Sequence, residues 1–336
     1  MKGTVIRVFA VILAAGLAAC GAANTAGGTS SSSSYQGKTI EFGAILSLTG
    51  AGGVYGPSSK NGMMLAVDTI NNKGGVNGAK LSLTVDDDAS DKAQSAQVAQ
   101  TLIQGGKLLA LLGPTLSNSA VAVHPLAESF KIPILAVSTT GIHIVPDCNY
   151  PKTDPCKYVF RDSLGEESAI PANIKVYSDL KHPKTGVLMV ANDDKFSSDG
   201  GKIVQNTVGS YGIQLLDTVQ FSKTTADFAT PVTKAVQKKP DVIFITSLGG
   251  IPAKIMIEAR KQGFTGQFLG GNGFNTAVVS KQAAESGKGA ESGSAWYINN
   301  TFASNAGFVQ AYRAKYSLDP RRCGQAGQPD VQRRCW

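Results

Sequence analysis

Short apolar runs alternate with amphipathic stretches along most of the chain. Thr39 to Leu46 reads as a strand and Ser59 to Ile70 as a helix, with Met63, Ala66, Val67 and Ile70 at helical spacing. Leu81 to Val85, Leu108 to Leu112 and Ile134 to Val137 read as further strands, separated by helices over Asp91 to Gln104 and Asn118 to Phe130. Strands joined through helices run parallel, and the crossing helices cover both sheet faces. The stretch from Asp147 to Pro155 interrupts this rhythm with prolines, aspartates and cysteines. The alternation then restarts. Val187 to Ala191, Ile213 to Phe221, Val242 to Thr246 and Gln267 to Leu269 read as strands. Ile174 to Leu180, Gly201 to Tyr211, Phe228 to Gln237 and Pro252 to Gln262 read as helices. The fold class implied is α/β, with two doubly wound parallel-sheet lobes enclosing a cleft. Ligands in such sheets bind beyond the carboxyl ends of the strands.

The N-terminus departs from this pattern. Lys2 and Arg7 precede an uncharged apolar run from Val8 to Ala15, too short to span a bilayer. Small residues follow, then Cys20, which is the layout of a secretory signal peptide over residues 1–19. Leu17-Ala18-Ala19-Cys20 also resembles the bacterial lipobox, which implies lipidation of the Cys20 thiol. Residues 20–38, with serines from Ser30 to Ser34, read as a flexible tether. The expected location is the cell envelope, outside the cytoplasmic membrane, lipid-anchored at a periplasmic or cell surface.

Charge changes the picture little. The formal net charge is +8, but Lys2 and Arg7 at one end, and four arginines against Asp330 in the tail, account for most of it. The basic residues of the body are scattered, so nucleic acid is not an expected partner. In an oxidising compartment, Cys148 and Cys156 are expected to form a disulfide closing a small loop. No metal site is expected: His124, His143 and His182 are scattered and no Cys-x-x-Cys occurs.

Three loops carry candidate chemistry. Gly50-Ala-Gly-Gly-Val-Tyr-Gly56 follows the first strand and fits a relaxed dinucleotide pattern. The acidic run Asp86-Asp87-Asp88 lies too far downstream to be its ribose-binding acid, and the glycines more simply allow a tight turn. Those aspartates do not match a calcium loop and read as a solvated strand end. Gly113 to Ser119 joins a strand to a helix and places Ser117 as a natural N-cap. The first-turn N–H groups and the hydroxyl form either a carboxylate site or a plain cap. Val137 to Gly141 presents Ser138, Thr139 and Thr140 at the end of the next strand, so the two loops suggest a shared binding edge. There is no Gly-x-Ser-x-Gly elbow, His-Glu-x-x-His or P-loop, so neither catalytic residues nor a cofactor is expected.

Taken in order, several segments resemble one family. They are Leu48-Thr49-Gly50, Tyr55-Gly56, Ile70-Asn-Asn-Lys-Gly-Gly-Val-Asn-Gly78, Asp86-Asp-Asp-Ala-Ser90, Leu112-Gly-Pro114, Ile132-Pro-Ile134 and Phe160-Arg161. From about Lys38 to Pro320 the chain is similar to the leucine/isoleucine/valine-binding proteins of branched-chain amino-acid ABC transporters, of the type I periplasmic-binding-protein fold. The resemblance implies a first lobe over 39–158, a second over 159–290, and a return to the first lobe over 291–320. It implies a non-enzymatic, monomeric protein that delivers an amino acid or related amide or carboxylate to an ABC permease. A ligand-sensing domain feeding a signalling partner and an exported enzyme are the competing readings.

The resemblance also assigns residues. Tyr55 matches the aromatic that closes over the ligand, Ser117 the serine that holds the α-carboxylate, and Ser138, Thr139 and Thr140 the loop supplying a hydroxyl and a carbonyl. Phe196 falls where tyrosine is frequent, and Ser247 and Leu248 on the next cleft loop. Asn272 falls where the family's acid meets the α-ammonium. A neutral side chain there removes the counter-charge, unless another acid such as Asp193 or Asp194 replaces it. Residues 321–336, Arg-Arg-Cys-Gly-Gln-Ala-Gly-Gln-Pro-Asp-Val-Gln-Arg-Arg-Cys-Trp, carry no apolar period. They read as an aberrant tail, Cys323 and Cys335 included, that leaves the first lobe incomplete at its C-terminal part, with apolar surface exposed.

Overall fold

Two five-stranded parallel sheets make up the molecule. The computed structural model describes residues 35–145, 157–274, 276–294 and 296–320. The signal segment, Cys20, most of the tether, the Cys148–Cys156 pair and the tail after Pro320 lie outside the described residues.

The first sheet has the order β2-β1-β3-β4-β5. Its strands are β1 (Thr39–Leu46), β2 (Lys80–Asp87), β3 (Leu108–Leu112), β4 (Ile134–Ala136) and β5 (Val159–Arg161). Helices α1 (Gly56–Asn72), α2 (Lys92–Gln104) and α3 (Ser117–Phe130) connect the first four. One face buries Ile45, Leu111 and Ile134 against Leu102 of α2 and Val123 of α3. Asp91 starts α2 as its cap, accepting from Gln94 N at 2.8 Å. β5 pairs with β4 (Leu135 opposite Phe160), so the change of sheet falls after Arg161 rather than after Tyr158. Three residues are too few for an alternation to show in the sequence.

The second sheet has the order β10-β9-β8-β6-β7. Its strands are β6 (Thr185–Ala191), β7 (Gln214–Phe221), β8 (Val242–Thr246), β9 (Gln267–Gly270) and β10 (Glu291–Ser292), the last lying past the expected boundary at 290. Helices α4 (Glu166–Lys181), α5 (Lys195–Thr207), α6 (Ala229–Val236), α7 (Ile251–Lys261) and α8 (Ala277–Ala283) cover it. Every residue of β8 is buried, as a central parallel strand with helices on both faces requires. Alternate residues serve opposite faces. Met189, Ile243 and Ile245 pack with Val232 and Met256 on one side. Leu188, Val190 and Phe244 pack with Ile174 and Val204 on the other.

Two helices begin well before their apolar periodicity. α4 starts at Glu166 and accommodates Pro171 within it. α5 starts at Lys195 behind an Asp194 cap that accepts from Ser197 N at 2.8 Å. Gly200 and Gly201 of α5 press on Thr246 and Val190, where a methyl would come within 3.2 and 3.0 Å. That close approach replaces the side chains a periodic pattern would have displayed.

The acidic run that closes β2 is not a solvated strand end. Asp88 is fully buried and accepts from Ser47 Oγ at 2.6 Å, Ser95 Oγ at 2.9 Å and Ser119 Oγ at 3.1 Å. Asp87 accepts from Leu48 N at 2.8 Å and Thr49 Oγ1 at 2.7 Å. Together they tie the loop after β1 to the starts of α2 and α3. Buried acceptors must be filled, and hydroxyls from three segments fill these.

The chain returns to the first lobe through α9 (Ala303–Tyr316). Tyr316 Oη donates to Asn61 O at 2.8 Å, Asn61 Nδ2 donates to Tyr312 Oη at 3.2 Å, and Lys315 pairs with Asp68. Between α1, the second face of the first sheet and α9 runs an apolar groove of about 710 Å³, walled by Met63, Leu83, Leu112, Leu135, Trp296 and Phe308. Among the described residues, no helix is long and apolar enough to cross a membrane.

Candidate functional site

The lobes meet where strands of both sheets end. Loops after β1, β3 and β4 approach from the first lobe, and loops after β6, β8 and β9 from the second. They enclose a small cavity lined by Tyr55, Thr115, Leu116, Ser117, Ser138, Thr140, Phe196, Leu248, Asn272 and Gly273. Its volume is about 20 Å³, room for little more than a water molecule. Ser138, Thr140 and Asn272 of its wall also line the apolar groove, so the two spaces adjoin.

The cavity brings together Tyr55, Ser117, Ser138, Thr140, Phe196, Leu248 and Asn272. Thr139 and Ser247 lie behind the wall, 0% and 1% exposed. Ser117 is not the N-cap: Leu116 holds that position and Ser117 is the first residue of α3. Its hydroxyl instead accepts from Gly141 N at 3.2 Å, joining the loops after β3 and β4. Ser138 Oγ donates to Thr115 O at 2.8 Å across the same two loops.

Among the described residues, side chains of Tyr55, Asn118, Glu166 and Lys195 bridge the lobes, the last donating from Nζ to Ile142 O at 2.9 Å. Tyr55 is 4% exposed. Its hydroxyl donates to Gly273 O at 3.1 Å and accepts from Gly249 N at 3.0 Å. Asn118 donates to Asp194 Oδ2 at 2.9 Å and accepts from Lys195 N at 2.8 Å. Glu166 Oε1 accepts from Thr140 Oγ1 at 3.2 Å and Asn272 N at 2.9 Å. Asn118 and Glu166 bridge the lobes without lining the cavity, and the sequence marked neither. Asn118 sits in the Gly113 to Ser119 loop, so its position beyond β3 was a usable signal. Glu166 is distant in sequence from both its partners, and only the fold brings them together.

No charged side chain lines the cavity. The two acids considered as replacements for a charge at position 272 are engaged elsewhere. Asp193 accepts from Ser222 Oγ at 2.6 Å and Lys223 N at 2.7 Å. Burial alone would raise its carboxyl, but these bonds hold it below its ordinary value. Asp194 is taken up by Ser197 and Asn118. Burial pushes the Glu166 carboxyl up to about 7, against the bonds from Asn272 and Thr140 that pull it down, while neighbouring Glu167 adds to the rise. Among the described residues, no group of three or more His, Cys, Asp or Glu side chains is placed to hold a metal ion.

A closed cleft at the strand ends of two parallel-sheet lobes defines a solute-binding protein of the periplasmic type. The chain belongs to the periplasmic binding protein family, whose sequence profile matches residues 39–328. It is 25% identical over 293 residues to a leucine-, isoleucine-, valine-, threonine- and alanine-binding protein of Pseudomonas aeruginosa, covering 86% of this chain and 72% of that one. The branched-chain amino acid transporter substrate-binding protein LivJ of Streptococcus pneumoniae, solved with isoleucine, superposes with a TM-score of 0.75 at 26% identity, over 84% of this chain and 79% of that one. A solute-binding protein of an ABC transporter from R. palustris, solved with 4-hydroxybenzoate, shares the fold with a TM-score of 0.72 at 19% identity, over 84% of this chain and 76% of that one.

Proposed function

We infer that this protein captures a small polar solute, an amino acid or a related amide or carboxylate, and hands it to an ABC permease. The observation that carries this reading is the cavity at the lobe seam, with Ser117, Ser138 and Thr140 on one wall and Phe196, Leu248 and Asn272 on the other. A solute held there touches both lobes, so binding and closure are the same event. The N-terminus of α3 at the cavity suits a carboxylate, with its free first-turn N–H groups beside Ser117. Thr139 and Ser247 act from the second layer, behind the wall. No covalent chemistry is part of the reading.

The anchoring role belongs to a lipid on Cys20, with residues 20–38 as tether and Cys148 bridged to Cys156 in the envelope. The protein works as a monomer outside the cytoplasmic membrane. The test is a thermal-shift screen of the full chain against amino acids, their amides and small carboxylic acids. A reversible, saturable rise with one class supports the reading. A folded sample that responds to none of them rejects it. Ser117→Ala should weaken a carboxylate ligand about tenfold, the worth of one hydrogen bond to a charged group. Unchanged affinity would remove Ser117 from the site.

A further inference from the structure

One face of the first sheet is left open between α1 and α9. The groove there holds about 710 Å³, within the usual range of small-molecule sites. Met63 and Val67 of α1 line it, with Leu112 and Leu135 of the sheet. Trp296 and Phe308 add aromatic rings, 5.8 Å apart and edge to face. Asp162 is the one charged side chain among the described residues that line it. Contiguous apolar surface of this kind marks an interaction site.

Continuity with the seam decides what the groove holds. Ser138, Thr140 and Asn272 line both spaces. The seam cavity, at about 20 Å³, takes little beyond a water molecule. An organic solute with its head at the seam therefore has to continue beyond it, and the adjoining volume is apolar. Ser138 and Thr140 have already donated their hydroxyl protons to Thr115 O and Glu166 Oε1. Asn272 bonds to Glu166 through its backbone N–H, which leaves its carboxamide as a donor at the junction.

We propose that the groove holds the apolar tail of the solute whose head sits at the seam, and that the solute is a monocarboxylate bearing an alkyl or arylalkyl chain. This rests on the solute-binding reading above and names its substrate class. The head keeps Ser117 and the first turn of α3 as partners, with the Asn272 carboxamide at the junction. The tail lies against Met63, Leu112, Leu135 and Phe308. Each methylene moved from water onto these walls should tighten binding about threefold. A second carboxylate on the tail is disfavoured twice. It would lose its hydration against apolar walls, and it would meet Asp162 as a like charge.

The experiment is titration calorimetry of the full chain with butanoate, hexanoate, octanoate and decanoate, beside 1-decanol, decanedioate and L-leucine. Decanoate should bind at least about a hundredfold tighter than butanoate, with a regular gain along the series. Decanedioate and 1-decanol should each bind at least about tenfold weaker than decanoate. Gly62 lines the groove, and a side chain started there meets nothing within 4 Å. Gly62→Phe should keep butanoate within about threefold and lose more than about tenfold for decanoate. Flat affinity from butanoate to decanoate overturns the proposal, and this arm needs no variant to fold. Decanol or decanedioate matching decanoate overturns it too, because the head would then lie outside the seam or the tail outside the groove. Folded Gly62→Phe protein with wild-type affinity for decanoate also overturns it. Binding of L-leucine or butanoate with no gain from chain length overturns the tail and leaves the solute-binding reading standing. A folded sample that binds no probe counts against both.

Discussion

The two lobes share one topology and differ in what covers them. In the second lobe both sheet faces are sealed by helices, and β8 is buried from end to end. In the first lobe one face is sealed by α2 and α3, while the other carries the groove between α1 and α9. The same sheet can therefore close a core or support an open wall. The lesson is that the binding edge is held by ties between the strand-end loops, although the groove reaches Ser138 and Thr140 of that edge. The ties are Asp87, Asp88, Ser117 and Ser138.

The sharpest test sets equivalent deletions against each other. Phe244→Ala in the sealed second lobe should cost about 3–5 kcal/mol, and Leu83→Ala on the groove wall about 1 kcal/mol or less. Chemical denaturation of both variants measures the gap, and equal losses would erase the distinction between the lobes. The seam comes next. The Glu166 carboxyl sits at about 7 in the fold against 4.5 ordinarily, so the native state holds a proton that the unfolded chain releases between those values. Its contribution to stability is complete below pH 4.5 and is lost as pH rises through 7. Glu166→Gln should therefore stabilise the protein at pH 8 by about 2–3 kcal/mol and by almost nothing at pH 4.5. Melting curves across that range decide it, and a variant less stable at pH 8 would contradict the burial argument.

Smaller effects follow at the latches. Tyr55→Phe removes two bonds between lobes and should shift the open–closed balance by about 1–2 kcal/mol without lowering the stability of either lobe. Small-angle scattering of the unliganded protein should show a larger radius of gyration; an unchanged profile would mean that the seam closes without Tyr55. Asn118→Ala should act more weakly, by about 1 kcal/mol, because Asp194 keeps its bonds to Ser197. It should appear as several-fold faster ligand release in stopped-flow measurements.

Much of this was legible in the sequence, for identifiable reasons. Central strands such as Val242–Thr246 are continuous apolar runs bounded by turn residues, and they were placed to the residue. The loops around Ser117 and Ser138 follow such strands, so their meeting at one edge could be read in advance. What could not be read depends on close packing or distant pairing. Gly200 and Gly201 hid the start of α5, and Pro171 hid that of α4. The burial of Asp88 by three serines, one of them from the first lobe's opening loop, leaves no periodic trace. Glu166 in Gly165-Glu-Glu-Ser168 looks like any acidic helix start until Thr140 and Asn272 close over it.

The Tyr55 latch has a consequence for how such a site diversifies. Its hydroxyl bonds to Gly273 O and Gly249 N of the second lobe, both main-chain groups. Closure is thus insulated from the identity of the neighbouring Leu248 and Asn272 side chains. Descendants of this chain can replace those side chains while keeping the two main-chain bonds of the latch. The mechanical and the selective functions of the cleft are separable in heredity because the hydroxyl reads backbone.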